Sequence, residues 1–201
     1  GLFALDDTLG RFIPDLRGTP QGRLTMRQLM LQRTGLPPML SVQAMMTDTA
    51  TYTAPLYRAK PGAPYTIQLD KNLYANSEAR LRTDILSAKP TIALPNPIAQ
   101  GIYGGQATYD SIMARIHRTP LRDPSYRYSD LNFALLAEAL EQMKGDRLDH
   151  IVETEVFEPI GASRTMYTPL AKGVKRSDIA STERDNFRSR QLLPGDVHDE
   201  L

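Results

Sequence analysis

The 201-residue sequence contains no cysteine. Disulfides, thiolate metal sites and a cysteine nucleophile are excluded within it. The compartment stays open, because cysteine-free chains suit both cytosol and periplasm. Excess charge of one sign is also lacking. Lys plus Arg is 24 and Asp plus Glu is 23, for a formal net charge of +1. That balance supplies no global attraction to nucleic acid or to an anionic membrane, and neither partner is expected. No run approaches the ~18 apolar residues of a helical membrane span, so no span is expected. Only three histidines occur, His117, His150 and His198, too scattered to suggest a zinc site. No secretory leader is visible, and the residues from Gly1 to Asp7 read as the middle of a folded sequence. What is abundant is punctuation, with 15 prolines beside 13 glycines. These favour short helices and long ordered loops over a bundle.

Apolar periodicity and caps place the elements. Leu5, Leu9, Phe12 and Ile13 predict a short helix closed by Pro14. Thr25-Met26-Arg27-Gln28 matches a capping box, with Leu24 and Leu29 spaced as a hydrophobic staple. It predicts a helix over 25–33 ended by Gly35, with Pro37-Pro38 forbidding its return. Met26 and Met30, one turn apart, read as core. Residues 39–106 are broken by six prolines from Pro55 to Pro97 and carry Tyr52, Tyr57, Tyr65, Tyr74 and Tyr103. Thr66–Leu69 alternates like a strand, and 80–86 suits a helical turn or two. The stretch is too long for a plain connection. It reads as an ordered, tyrosine-rich excursion, the alternative being a flexible loop. Tyr109, Ile112, Met113 and Ile116 mark an amphipathic helix before Pro120. Leu131, Leu135, Leu136, Leu140 and Met143 mark the longest one, stopped by Gly145, and Leu148 to Val156 a further one before Pro159. From Thr168 onward the chain is polar and irregular.

Few residue groups could carry chemistry. Tyr128-Ser129-Asp130 directly precedes the longest helix. A tyrosine at such a junction can project its hydroxyl into a cleft and, with cations nearby, accept a proton from a serine nucleophile. Ser129 and Asp130 can cap the helix or hydrogen-bond a substrate amide; a packed tyrosine before an ordinary N-cap is the simpler alternative. His198 with Asp196, Asp199 and Glu200 resembles a metal cluster only as most acidic solvated loops do, and neither metal nor cofactor is expected. Arg115, His117, Arg118, Arg122 and Arg127 form a local basic patch best read as a solvated helix face. The glycines of Gly101-Ile102-Tyr103-Gly104-Gly105 follow no clear strand and lack a Lys-Ser/Thr partner, a poor phosphate loop.

Four stretches, in order, resemble the penicillin-recognising serine hydrolase superfamily, which includes class C β-lactamases, low-molecular-weight penicillin-binding proteins and related esterases. The run from Gly1 to Leu9 (GLFALDDTL) resembles a G-x-L-x-L-D-D-x-V segment that follows the nucleophile helix. The run from Leu24 to Pro37 (LTMRQLMLQRTGLP) resembles V-T-L-R-H-L-L-T-H-T-S-G-L-P. Tyr128-Ser129-Asp130-Leu131-Asn132-Phe133 resembles Y-S-N-x-x-Y, and Phe157 to Met166 resembles x-x-P-L-G-M-x-x-T. Val197-His198-Asp199-Glu200 is similar to a V-H-D-E stretch of a bacterial envelope subgroup.

The resemblance implies a fold class: mainly α, the helical half of a β-lactamase-like α+β sandwich, with few short strands. Most of the antiparallel sheet is then expected outside this chain. It implies short helices over 1–38, an insertion near the cleft over 39–106, a helical subdomain over 107–170, and a polar segment over 171–201 leading back to the sheet. Tyr128 matches the motif tyrosine, a base or proton shuttle. Ser129 and Asp130 fall at substrate-binding positions. Asp130 stands where asparagine is usual, replacing an amide donor by an acceptor-only carboxylate. A peptidoglycan-related peptidase or an esterase is therefore favoured over a true β-lactamase. The family's nucleophile lies in S-x-x-K and its carboxylate-binding strand carries K-T-G. Neither occurs in this sequence. The chain is thus expected to be inactive alone and to need the rest of its own chain or a partner. Its substrate is expected to be a small molecule, peptide or ester, and its location the periplasm or cell envelope. The alternative is a non-catalytic binding or scaffold module of the same ancestry.

Overall fold

A computed structural model describes residues 2–99, 101–184 and 192–195. The chain divides into two compact units, Gly1–Leu40 with Met113–Tyr167 and Ser41–Ile112 with Thr168–Leu201.

The first unit is helical. It holds α1 (Leu9–Phe12), α2 (Met26–Met30), the last turns of α4 (Gln106–His117), α5 (Asp130–Lys144) and α6 (Leu148–Val152). α1 is shorter than the apolar spacing predicts, because the residues before it have other partners. The amide of Arg27 donates to the Leu5 carbonyl at 2.8 Å, and that of Met26 to the Asp7 carbonyl at 3.0 Å. A carbonyl occupied across the chain cannot start an i→i+4 ladder. The capping box forms: the Gln28 amide donates to Thr25 Oγ1 at 3.2 Å, and the Thr25 amide to Gln28 Oε1 at 2.9 Å. Leu24 and Leu29 are both buried. α2 nevertheless stops at Met30, three residues early, since Gln32 takes a left-handed φ of 57°. Gly35, also left-handed at φ 76°, serves a different end. A Cβ there would lie 2.3 Å from the Arg122 carbonyl oxygen, so only glycine lets these two segments touch. Met26 is fully buried, whereas Met30 is 52% exposed and is not core.

α5 matches its expected span, ending at Gly145 with φ 67°. It buries Leu131, Leu135 and Ala139. His117 Nε2 and Glu138 Oε2, 2.7 Å apart and largely shielded, tie the end of α4 to its flank. The helix expected over 148–156 is regular only to Val152 and then widens into a π-turn over Glu153–Phe157.

The second unit carries short strands around little core. α3 (Val42–Met46) precedes β1 (Thr47–Asp48), β2 (Tyr57–Arg58), β3 (Tyr65–Asp70), β4 (Leu73–Asn76), β5 (Arg80–Leu81), β6 (Asn96–Ala99) and β7 (Ile102–Gly104), with β8 (Ser181–Arg184) and β9 (Leu192–Pro194) following much later. All pairings are antiparallel, giving a three-stranded sheet in the order β2-β4-β3 and the pairs β1-β5, β6-β7 and β8-β9. The strand expected at 66–69 lies within β3. Of the helical turn or two expected at 80–86, Arg80–Leu81 form β5 instead, while 82–86 make a single helical turn in which the Leu86 amide donates to the Arg82 carbonyl at 3.1 Å. The Arg82 amide donates to the Met46 carbonyl at 2.9 Å, and its side chain reaches Asp84 at 2.6 Å and Ser111 Oγ at 3.0 Å. Strands are thus more numerous than expected, though each is short. Of the five tyrosines, Tyr65 is buried with its hydroxyl donating to the Pro55 carbonyl at 2.8 Å, and the other four are half-buried. Helices with small sheets describe the chain; the helices dominate the first unit and the strands the second.

Candidate active site

The three residues singled out by sequence lie where an extended segment enters α5. Ser129 has extended backbone (φ −153°, ψ 121°), so neighbours along it face opposite ways. Ser129 is fully buried, while Tyr128 is 58% exposed and Asp130 half-exposed. The expected Ser129 cap is not made. Its hydroxyl instead donates to the Pro37 carbonyl at 2.6 Å, and its amide donates to Gln32 Oε1 at 2.9 Å. The Asp130 amide donates to the Pro38 carbonyl at 3.0 Å. Ser129 therefore faces the protein, and Tyr128 and Asp130 are the pair presented outward.

Behind them is a buried polar lattice. The Asn132 side-chain amide donates to Gln32 Oε1, and Thr34 Oγ1 donates to Asn132 Oδ1 at 2.7 Å. The Arg127 amide donates to the Gln32 carbonyl at 3.0 Å, and the Arg122 amide to the Gly35 carbonyl at 2.9 Å. Gln32, Thr34, Ser129 and Asn132 are all buried. A fully satisfied lattice in low dielectric fixes backbone positions closely. Gln32, Thr34 and Asn132 were not among the predicted site residues. Their one sequence signal is polarity at positions flanked by apolar ones, such as Asn132 between Leu131 and Phe133.

The electrostatics differ from expectation at Tyr128. Among the described residues no cation favours its phenolate. Hydrogen bonding to Asp130, then the Asp130 charge, raise the hydroxyl above its ordinary pKa, with smaller contributions from desolvation and Tyr126. A carboxylate alongside disfavours a second negative charge. As arranged, Tyr128 is a protonated hydroxyl that donates, and Asp130 is the acceptor.

The remaining candidates do not gather here. Among the described residues no three His, Asp or Glu side chains are placed to hold a metal. His198, Asp196, Asp199 and Glu200 lie outside the described residues. Arg115, Arg118, Arg122 and Arg127 are exposed, and His117 is paired with Glu138. Gly101 to Gly105 do follow a strand, β6, and form its hairpin partner, contrary to expectation. They make no phosphate loop, because the Gly105 amide donates to Thr108 Oγ1 at 2.9 Å and a Cβ there would meet the Ala93 oxygen at 2.1 Å. Close packing accounts for Gly104 and Gly105, and a left-handed φ of 70° for Gly101.

Comparison with known proteins identifies the family. A beta-lactamase family model matches residues 1–199. The chain is 38% identical over 99 residues to the "Putative D-alanyl-D-alanine carboxypeptidase" of Escherichia coli K12, covering 42% of this chain and 23% of that protein. It is 37% identical over 84 residues to an N-acetylmuramyl-L-alanine amidase of Bacillus subtilis, covering 36% of this chain and 19% of that protein. A like-named carboxypeptidase of Salmonella paratyphi B is 35% identical over 99 residues, 42% of this chain and 23% of that protein. The matched stretch thus spans under a quarter of each relative. No solved structure matches the chain.

Proposed function

The chain belongs to the beta-lactamase family, and from that premise we propose that it forms part of a serine hydrolase acting by acyl transfer on a peptidoglycan-related peptide or amide, in the bacterial envelope. The carrying observation is the Tyr128–Asp130 pair, directed outward from a segment that Ser129, Gln32, Thr34 and Asn132 hold from behind. The names of the relatives, a D-alanyl-D-alanine carboxypeptidase and an N-acetylmuramyl-L-alanine amidase, support the substrate class.

In this reading Tyr128 works through its hydroxyl. Its proton is retained beside the Asp130 carboxylate, so it donates a hydrogen bond to an electron-rich atom of the reacting group, and a proton passed to that atom returns to Tyr128 from the same atom in the reverse step. A nucleophile supplied by the remainder of the protein would have to displace that interaction, or bring a cation, to use Tyr128 as a base. Asp130 accepts an N–H from the substrate and offers nothing to a carbonyl. Ser129 is a positioning residue, fixed to Pro37, rather than a substrate contact. The need for further chain belongs to the same proposal and is supported by Leu31, Met39 and Ile160 of the first unit, each more than half exposed.

The test is covalent labelling of the complete protein by a fluorophosphonate or penicillin probe. Tyr128→Phe should slow acylation by about 10²-fold or more, as loss of a proton-transfer group does. Unchanged acylation removes Tyr128 from the mechanism, and no labelling of the parent protein removes the hydrolase reading.

A further inference from the structure

The first unit contains a second concave feature, built from residues that the proposed reaction does not use. An open cleft of about 390 Å³ is lined by Arg11, Arg17 and Arg23, by Gly10, Gly18 and Gly22, and by Thr8. Its lining has three cations, one hydroxyl and no carboxylate. Like charges brought together repel, and a surface usually relieves this with interspersed acids. Here relief is partial. Arg11 is tied to Asp7, which lies outside the lining. Among the described residues Arg17 and Arg23 have no ion pair.

The geometry suits an anion. Arg17 Nε donates to the Gly10 carbonyl at 3.2 Å, which anchors the guanidinium while leaving both of its terminal nitrogens to a ligand. A pre-positioned fork loses little side-chain freedom on binding. The glycines line the cleft with backbone alone, and Gly22 is enforced by packing. A Cβ on Gly22 would lie 1.9 Å from the Leu16 carbonyl oxygen, and one on Gly10 would lie 3.1 Å from that of Gly22. Gly18 has φ 79° with open space where a side chain would be. No side chain on these positions fills the cleft.

We propose that this cleft is a binding site for a phosphate ester, its phosphate oxygens received by the guanidinium groups of Arg17 and Arg23. One fork satisfies a carboxylate. Two guanidinium groups without an ion pair, Arg17 and Arg23, beside an Arg11 held by Asp7 and lying over the Phe12 ring, suit an anion with oxygens in several directions. The volume exceeds that of a bare phosphate and leaves room for the esterified group. Such a group comes either from a soluble phosphorylated molecule or from a phospholipid headgroup. The site does not depend on the hydrolase reading.

The test uses the complete protein and two probes, inorganic pyrophosphate followed by calorimetry and vesicles of phosphatidylglycerol in phosphatidylcholine followed by flotation. Pyrophosphate should bind saturably, more weakly as salt rises. Arg17→Ala and Arg23→Ala should each weaken it about tenfold, as loss of one charge-assisted pair does. Arg17→Lys should recover only part of that affinity, since it keeps the charge and loses the fork. Both side chains are exposed, and unchanged melting of the variants separates lost binding from lost folding. Flotation of the unmodified protein that is lost in Arg17→Ala identifies the headgroup as the source; pyrophosphate binding without flotation identifies a soluble phosphorylated molecule. Absence of saturable pyrophosphate binding, or binding untouched when both arginines are replaced, overturns the proposal.

Discussion

The two units use their sequence in opposite ways. The first spends its apolar residues on a core: among the described residues every buried aliphatic side chain lies there except Ile85, Leu86 and Leu94. The second has those three and Tyr65, and relies on hydrogen bonds such as Thr108 Oγ1 to the Ile85 carbonyl at 2.6 Å and Tyr65 to Pro55. It also contains a buried side-chain nitrogen, Asn76 Nδ2, with no protein partner. Burial of apolar area is the dominant stabilising term, and local opening follows where it is sparse. The Tyr–Ser–Asp junction sits on the unit with the core, which can hold a side chain in one place. The strand-bearing unit can shape a surface at lower stability.

That contrast can be broken by variants. The largest effect is expected at Gly35. Alanine there combines a φ of 76° with a Cβ 2.3 Å from the Arg122 oxygen. It should cost the first unit about 3 kcal/mol or more, read as a lowered denaturation midpoint. Asn132→Ala should follow at about 2–3 kcal/mol, because it strips Gln32 and Thr34 of a buried partner. Both changes should leave amide exchange over 47–76 unaltered; acceleration there would show that the units melt together. Thr25→Ala, which removes the cap hydroxyl of α2, should cost about 1 kcal/mol. On the second unit Ile92→Ser, fully solvent-exposed, should stay within about 0.5 kcal/mol, and a larger loss would mean that its surface is covered.

The smallest effect is a titration. His150 has its pKa raised, first by its hydrogen bond to Asp146 and then by the Asp146 charge, and Asp146 is lowered in turn. A raised histidine contributes stability below its unfolded pKa and loses it as pH climbs through the folded value. A lowered carboxylate does the reverse, losing its contribution as pH falls through its folded value. The pair is therefore strongest between the two, in mildly acidic solution. Asp146→Asn should return His150 to its ordinary range in an NMR titration. An unmoved His150 would assign the shift elsewhere.

Much was legible one turn at a time. The capping box, the span of α5 with its Gly145 stop and β3 depend on partners a few residues apart, which a short window contains. The length of α1, the early end of α2, the exposure of Met30 and the strand at 80–81 were not legible, because each was decided by a partner far along the chain. At the candidate site the three motif residues were visible, but the inward turn of Ser129 and the proton on Tyr128 were not. A tripeptide shows an acid two residues away without showing which group it touches.

The sequence by itself determined which residues meet water or apolar surface over a few turns, and it carried the ordered motifs of the beta-lactamase family. Only tertiary structure decided what those motifs rest on. Gln32 reaches Ser129 and Asn132 across 97 and 100 positions of chain. Tertiary packing likewise gathers Arg11, Arg17 and Arg23 at one cleft. The physical reason is that a buried polar atom must find a partner somewhere, and local sequence records the need without recording where it is met.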